Sequence, residues 1–194
     1  MNFLAHIYLS GEDPELKIGN FIADSVKGKK YLNYPNRIQQ GITLHRKIDS
    51  YTDTHPIVKK SVSRLFPKYR HYSTVIVDIL YDHFLANNWV EYSEIPLEEY
   101  TVSFYELLHQ YHQVLPKQIQ NFLPYMIKDN WLLSYASISG IGSALSGMNR
   151  RTKNKSRMDL AVNELEFYYS EFDKEFRSFF EELKVYTENE IKVL

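Results

Sequence analysis

The chain has 194 residues, of which 44% are hydrophobic and 24% charged, and this ordinary globular composition argues against an intrinsically disordered protein. Its formal net charge of -1 argues against nucleic-acid binding, because proteins that bind the phosphate backbone carry a clear excess of Lys and Arg. The chain has no cysteine, which excludes disulfides and thiolate metal sites. A bound metal would therefore need nitrogen and oxygen ligands.

The length fits one domain covering residues 1–194, which is the simplest organisation. The first ten residues lack the basic segment and cleavage site of a secretory signal. No charge-free apolar run approaches the roughly 20 residues that a membrane-spanning helix needs. We therefore expect a cytoplasmic protein that does not associate with membranes. The sequence gives no indication of its oligomeric state.

Helix-starting and helix-ending residues recur along the first half of the chain. Asp13 followed by Pro14 is typical of an N-cap and first helical position, and Gly28 is placed to end the same helix. Proline and serine signals mark the next starts, and Pro67 marks a stop. The pattern predicts four helices, over residues 14–27, 36–53, 56–66 and 74–89.

The second half continues the helical pattern. A fifth helix is predicted from Pro96 to about Val114, followed by a segment that Pro124 bends or breaks. Residues 137–157 mix glycine with basic residues, which predicts a short helix and a mobile loop. Apolar residues at spacings of three and four from Met158 to Leu183 predict a long amphipathic helix. Because no segment alternates with period two, we predict an all-α helical bundle.

Two carboxylates and a histidine interrupt the predicted helix over residues 74–89, which is apolar nearly all round and should be buried. Asp78 and Asp82 stand one turn apart on one face, and His83 follows directly. An unpaired buried carboxylate is costly, so it must be paired, protonated or bound to a cation. The alternatives are a metal site and a buried ion pair with an arginine such as Arg46 or Arg70.

The predicted helix over residues 36–53 repeats this arrangement. His45 and Asp49 are at positions i and i+4, and Asp53 and His55 lie near its end. Two facing groups of this kind can enclose one ion, and imidazole with carboxylate suits Mn²⁺, Fe²⁺ or Zn²⁺, or Mg²⁺ where more carboxylates take part. For a single histidine the alternative is a capped or core side chain. A joint cluster favours a site.

Asp24 and His6 are further acidic and imidazole groups in apolar surroundings. Asp24 ends the segment Gly19–Asp24, and His6 lies in the apolar stretch Phe3–Leu9. Either can be a metal ligand or a group that orients a ligand. We favour the orienting role for His6.

Several motifs together resemble the acyl carrier protein phosphodiesterase family, also called holo-carrier-protein hydrolases. The stretch around Gly147–Met148 and Arg150–Arg151 resembles the family's later basic element. The motifs that carry the resemblance in the first half are Met1–His6, Gly19–Asp24, Gly41–Asp49, Thr52–Pro56 and Asp82–Leu85.

The resemblance implies a distorted HD-type phosphohydrolase fold and a Mn²⁺-dependent reaction. That reaction removes the 4′-phosphopantetheine arm from the serine of a holo-acyl carrier protein. The adjacent pair reads Asp82-His83, the reverse of the His-Asp order of ordinary HD domains. The residues that the resemblance implies around the metal are Asp24, His45, Asp82 and His83. We expect His6, Asp78 and His55 either to orient these ligands or to serve as alternative ligands.

The same resemblance suggests roles for the neighbouring groups. Asp49 or Asp53 can act as general base, and Arg46 can neutralise phosphate oxygens, its alternative being a surface ion pair. An acidic carrier would need local positive charge, although solvated loop charge is the usual meaning of a basic run. The candidate carrier-binding residues are Lys27, Lys29, Lys30, Arg150 and Arg151.

Two other functions remain open at the level of sequence. One is an HD-type hydrolase that uses the same metal chemistry on a nucleotide or signalling phosphoester. The other is a non-enzymatic helical adaptor, whose Asp and His side chains form buried salt bridges and whose aromatic last helix binds a partner. The adaptor binds no metal.

Overall fold

A computed structural model describes all residues from 1 to 194 and confirms the all-α prediction, since it contains α-helices and short 3₁₀ turns but no strand. The α-helices, numbered in chain order, are α1 (Phe3–Leu9), α2 (Pro14–Ile22), α3 (Asn36–Thr54), α4 (Pro56–Tyr69), α5 (Ser73–Asn87), α6 (Leu97–Gln110), α7 (Lys117–Lys128), α8 (Trp131–Ser134), α9 (Ile138–Arg151), α10 (Val162–Phe167) and α11 (Tyr169–Lys192).

The start of α2 agrees with its predicted cap, and its end does not. The Asp13 side chain accepts a hydrogen bond from the Leu16 backbone N–H at 2.9 Å, as an N-cap does. The helix ends at Ile22 rather than at residue 27, and a 3₁₀ turn over Ala23–Ser25 follows. This tightening of the last turn places Asp24 just beyond α2 instead of inside it.

The internal prolines do not end the helices that contain them. Pro67 lies inside α4, which continues to Tyr69, and Pro124 lies inside α7, which runs unbroken to Lys128. Proline removes only one backbone donor, and tertiary packing can offset that loss. The predicted short helix after residue 137 is the 14-residue α9. The predicted last helix is divided, with α10 and α11 meeting at Tyr168.

Helix α5 lies in the centre of the core, as its apolar sequence predicted. Eleven of its 15 residues are buried, among them Asp82 and His83. The last helix, α11, contributes a row of fully buried aromatic rings from Phe172 to Phe180. Such large rings bury much apolar surface and stabilise the packing of α11 against the core. No helix is both long and apolar enough to cross a membrane.

Helices α2 and α3 touch at two glycines. A Cβ atom placed on Gly19 would lie 2.2 Å from the Ile38 carbonyl oxygen, and one on Gly41 would lie 2.4 Å from the Leu16 carbonyl oxygen. Both distances are far below van der Waals contact, so neither position admits a side chain. This close approach brings the end of α2 against the middle of α3, where His45 lies one turn after Gly41.

Candidate functional site

Side chains from two helices form a compact nitrogen and oxygen cluster. His6 from α1 and His45 and Asp49 from α3 offer ligand atoms that all lie within 4.8 Å of one another. The two imidazole rings stack with centroids 3.9 Å apart and an interplanar angle of 16°. His45 Nε2 lies 3.1 Å from Asp49 Oδ2, and His6 Nε2 lies 3.2 Å from Asp49 Oδ1. One carboxylate therefore faces both histidines.

The His6 ring is buried without a hydrogen bond. Only 3% of its side chain is exposed, and neither ring nitrogen makes a hydrogen bond. His6 Nε2 and Asp49 Oδ1 are thus close together, but the angle between them is not that of a hydrogen bond. A buried polar atom of this kind normally has a partner, and its absence marks a place where a ligand or ion is expected.

Asn20 fixes the orientation of the His45 ring. The Ser10 hydroxyl donates to the His6 carbonyl oxygen at 2.8 Å, so Ser10 Oγ is left as an acceptor. Asn20 faces that oxygen and the His6 carbonyl oxygen, both at 2.9 Å, and must turn its NH₂ group towards them. Its Oδ1 then accepts a hydrogen bond from His45 Nδ1 at 3.1 Å. His45 therefore presents Nε2 to the carboxylates.

Asp24 completes the carboxylate side of the cluster. Its Oδ1 lies 3.3 Å from His45 Nε2, and 78% of its side chain is exposed. Asp49 is partly exposed, at 39%. The two carboxylates thus open towards solvent while the two histidines line the buried side.

The electrostatics of the cluster separate its two histidines. Burial and the adjacent His45 ring lower the pKa of His6 to about 4, which leaves its nitrogens uncharged at neutral pH. Burial opposes the charged form of His45 as well, but the Asp24 and Asp49 carboxylates outweigh it and raise the pKa of His45 to about 9. Contacts with His45 and His6 hold the pKa of Asp49 well below its usual range.

These donors fit a divalent cation. Two imidazoles and two carboxylates are ordinary ligands for Mn²⁺, Fe²⁺ or Zn²⁺. His6 supplies a buried nitrogen without a partner, and His45 Nε2 faces two carboxylates, a position that only a proton or a cation can occupy favourably. The residues present are therefore suited to hold a metal ion.

Asp78 faces the same region from α5. Its Oδ1 lies 2.9 Å from the Met1 amino group, which is itself 3.9 Å from Asp49 Oδ1. Burial raises the pKa of Asp78 above its usual value. Asp78 thus adjoins the cluster through the Met1 amino group rather than through either histidine.

Asp82 does not join the cluster, although the sequence analysis expected it among the ligands. Its fully buried carboxylate accepts backbone N–H bonds from Asn2 at 3.3 Å, Leu4 at 2.8 Å and Ala5 at 3.2 Å. These amides begin α1, whose first N–H groups have no partner within the helix. Asp82 therefore caps the helix that carries His6, and both of its oxygens already accept backbone hydrogen bonds.

His83 is also engaged elsewhere. Its Nδ1 donates to the Tyr135 carbonyl oxygen at 2.8 Å, and its Nε2 pairs with the Tyr169 hydroxyl at 3.1 Å. Burial lowers the pKa of His83. This is the arrangement of a satisfied core histidine that ties α5 to α11.

Asp53 and His55 lie at the far end of α3. Asp53 is exposed and takes part in no ion pair or hydrogen bond. His55 caps α4, because its Nδ1 accepts the Ile57 backbone N–H at 3.3 Å while Nε2 lies 3.2 Å from Glu182. The structure thus separates these two residues, leaving Asp53 free and giving His55 a structural role.

Arg46 contacts backbone rather than the cluster. Its guanidinium donates to the carbonyl oxygens of Val26 at 3.1 Å and Gly28 at 3.0 Å, and it lies over the Tyr31 ring. Arg46 thus does not form the surface ion pair that was the alternative to a phosphate contact. Arg46 instead holds the turn that directly follows Asp24.

The basic residues lie on two surfaces. Lys27, Lys29 and Lys30 are exposed and follow Asp24 by three to six positions, in the turn that Arg46 holds. Arg150 and Arg151 are exposed at the end of α9, which carries none of the clustered side chains. The first surface thus adjoins the cluster along the chain, and the second belongs to a different helix.

Asn20 was not among the site residues predicted from the sequence. The sequence feature that could have indicated it is its position: a polar residue among the apolar residues of α2, four positions before Asp24. Such a residue is buried, here with 0% exposure, only when its amide is fully paired.

Comparison with known proteins gives matches over nearly the whole chain. Residues 1–183 match the family model described as acyl carrier protein phosphodiesterase. A protein of that name from Photorhabdus laumondii is 32% identical over 192 residues, covering 97% of this chain and 96% of the relative. Relatives with the same name include one from Yersinia pestis, 32% identical with 93% and 94% covered, and one from Escherichia coli, 30% identical with 93% and 94% covered. No solved structure matches the chain.

Proposed function

The chain belongs to the acyl carrier protein phosphodiesterase family, and from this premise we propose that it is a metal-dependent hydrolase of holo-acyl carrier protein. The bond broken is the phosphodiester between 4′-phosphopantetheine and the carrier serine, and the protein product is apo-acyl carrier protein. The observation that carries the metal requirement is the His6, His45 and Asp49 cluster with its unpartnered buried nitrogen.

We propose that His6, His45, Asp49 and Asp24 hold the ion. A divalent cation there would supply Lewis-acid polarisation of the phosphoryl group and activation of water at neutral pH. The buried histidines fix the inner side of the site, and the exposed Asp24 marks the side from which substrate enters. Asp82 and His83 are left out of this ligand set because their polar atoms are bonded to α1, Tyr135 and Tyr169.

Proton transfer needs a carboxylate that is free of other partners. Asp53 lies one turn beyond Asp49 on α3, is exposed, and has no ion-pair or hydrogen-bond partner. We assign it the role of general base: it accepts a proton from water as the water oxygen bonds to phosphorus and the bond from phosphorus to serine Oγ breaks, and the departing Oγ takes up a proton from solvent. Asp49 is unsuited to that role, since both of its oxygens face histidines.

We propose Mn²⁺ as the ion, with Mg²⁺, Fe²⁺ and Zn²⁺ as the alternatives to be compared. Two imidazoles favour Mn²⁺, Fe²⁺ or Zn²⁺ over Mg²⁺, which prefers an all-oxygen shell. Titration of metal-free protein with each ion, followed by turnover with each complex, ranks them directly.

We propose a basic carrier-binding surface, since an acidic carrier would need local positive charge on the protein that binds it. Lys27, Lys29 and Lys30 are its central part, since they adjoin Asp24 along the chain. Arg150 and Arg151 form a second basic group on α9. Exposed charges of this kind raise association rates and lose their effect in salt. Charge reversal of each group in turn, with the KM for holo-carrier as readout, assigns the docking role to one surface or to both.

The decisive test is mass spectrometry of purified holo-acyl carrier protein after incubation with this protein and Mn²⁺. We expect the carrier to lose the mass of the 4′-phosphopantetheine arm. Prior chelation with EDTA should prevent the loss, and added Mn²⁺ should restore it. A His45→Ala variant is the matched control for a contaminating hydrolase. An intact carrier together with phosphate release from small nucleotides would replace this proposal with a nucleotide hydrolase.

A further inference from the structure

Asn20 is the one fully buried side chain that contacts both histidine-bearing helices through hydrogen bonds. From α2 it donates to the His6 carbonyl oxygen on α1, and it accepts from the His45 ring on α3. A third bond, to Ser10 Oγ, lies just beyond α1. None of its three bonds reaches solvent, since the residue has 0% exposure.

We infer that Asn20 is a positioning residue for the metal site, which sets the tautomer and the ring direction of His45. The inference rests on the proposed metal centre, because it names the group that prepares one of its ligands. An outer partner that accepts the proton of one ring nitrogen leaves the other nitrogen as the metal ligand. Here Nδ1 is committed to Asn20 Oδ1, and Nε2 faces Asp24 and Asp49.

The neighbours of Asn20 determine which way its amide group is turned. A flipped amide would turn Oδ1 towards the His6 carbonyl oxygen and Ser10 Oγ, which are both acceptors in this network. It would also turn NH₂ towards His45 Nδ1. The Ser10 hydroxyl, by donating to the His6 carbonyl oxygen, therefore selects the arrangement that leaves Nε2 for the metal.

Metal affinity separates this role from a purely structural one. Asn20→Leu keeps the volume of the side chain and removes its acceptor, so we expect the Kd for Mn²⁺ to rise about 10- to 100-fold. Asn20→Asp keeps an oxygen facing His45 Nδ1, and we expect it to bind Mn²⁺ more tightly than Asn20→Leu. Titration calorimetry of the metal-free proteins measures both values without any turnover.

Ser61→Ala is the matched control. Ser61 is as buried as Asn20 and contacts Tyr81 and Glu175 in a separate network, so its loss tests general loosening of the core. We expect its Mn²⁺ affinity to stay within about twofold of wild type. Equal weakening in Ser61→Ala and Asn20→Leu would overturn the inference, as would wild-type affinity in Asn20→Leu.

The wild-type protein offers a test that does not depend on folding of a variant. In its complex with diamagnetic Zn²⁺, nitrogen-15 NMR should show a proton on His45 Nδ1 and the ion on Nε2. The ion on Nδ1 would overturn the inference. Wild-type protein that binds no divalent ion would instead overturn the proposed metal centre, so the two failures are distinguishable.

Discussion

Two His and Asp groups that look alike in the sequence have opposite surroundings in the structure. In the first, His6, His45 and Asp49 face one another, and one imidazole has no hydrogen-bond partner at all. In the second, Asp82 and His83 are more deeply buried than Asp49, and backbone amides, a carbonyl and a tyrosine hydroxyl engage their polar atoms. A buried carboxylate or histidine therefore indicates a ligand site only when its lone pairs are free.

The largest expected effect follows from breaking the first group. Asp49→Ala removes the carboxylate that faces both histidines, so we expect loss of turnover and a fall in Mn²⁺ affinity greater than the roughly 10- to 100-fold cost of losing an outer partner. Calorimetric titration and the carrier mass assay measure the two losses. Because Asp49 is partly exposed, the free energy of unfolding should change by only about 1 kcal/mol. Retained Mn²⁺ affinity would remove Asp49 from the site.

Breaking the second group should lower stability instead. Asp82→Ala leaves the amides of Asn2, Leu4 and Ala5 without their acceptor, and we expect the free energy of unfolding to fall by about 3 kcal/mol. Urea denaturation measures it. The folded fraction should still bind one Mn²⁺ per chain. Loss of metal stoichiometry in a folded Asp82→Ala protein would return Asp82 to the ligand set.

Asp82 should also make the free energy of unfolding depend on pH. Burial raises the pKa of Asp82 to about 7, so between pH 4 and 7 the folded chain holds a proton that the unfolded chain has released. Its contribution to stability is therefore present below pH 4 and is lost as the pH rises through 7, at up to about 1.4 kcal/mol per pH unit. Urea denaturation across this range should show a flatter profile for Asp82→Ala than for wild type. If the stability of Asp82→Ala and of wild type changed equally with pH, the raised pKa of Asp82 would be contradicted.

The smallest effect is expected at His83. His83→Gln replaces a ring that contacts Tyr135 and Tyr169 through separate nitrogens with an amide that can keep only one of these bonds, and we expect a loss of about 1 kcal/mol in the free energy of unfolding, measured with urea. Mn²⁺ affinity and kcat should match wild type. A drop in kcat with unchanged stability would show that His83 takes part in the chemistry.

Much of the fold was predictable because local signals agree with the packing. The α3 prediction over residues 36–53 matches the observed Asn36–Thr54, and the apolar α5 is central as expected. The errors fall where tertiary contacts override local preference. Pro67 inside α4 and the early end of α2 at Ile22 are both of this kind.

The site was less accessible to sequence reasoning. The spacing of His45 and Asp49 on one helix was visible, and the structure places them together. The partner of Asp82 was not visible, because it consists of backbone amides near the start of the chain rather than a residue type. Asn20 was missed for a related reason, since hydrogen bonding between three helices leaves no periodic pattern.

The glycine contact between α2 and α3 gives the site a preferred direction of stiffness. Gly19 and Gly41 each lie against a carbonyl oxygen of the opposite helix, so any sliding along the helix axes drives backbone into backbone. Closer approach is blocked in the same way, whereas separation of the helices is opposed by packing and by the Asn20–His45 hydrogen bond rather than by steric repulsion. Thermal motion at the entrance should therefore widen the gap between Asp24 and His45 more readily than it narrows the gap.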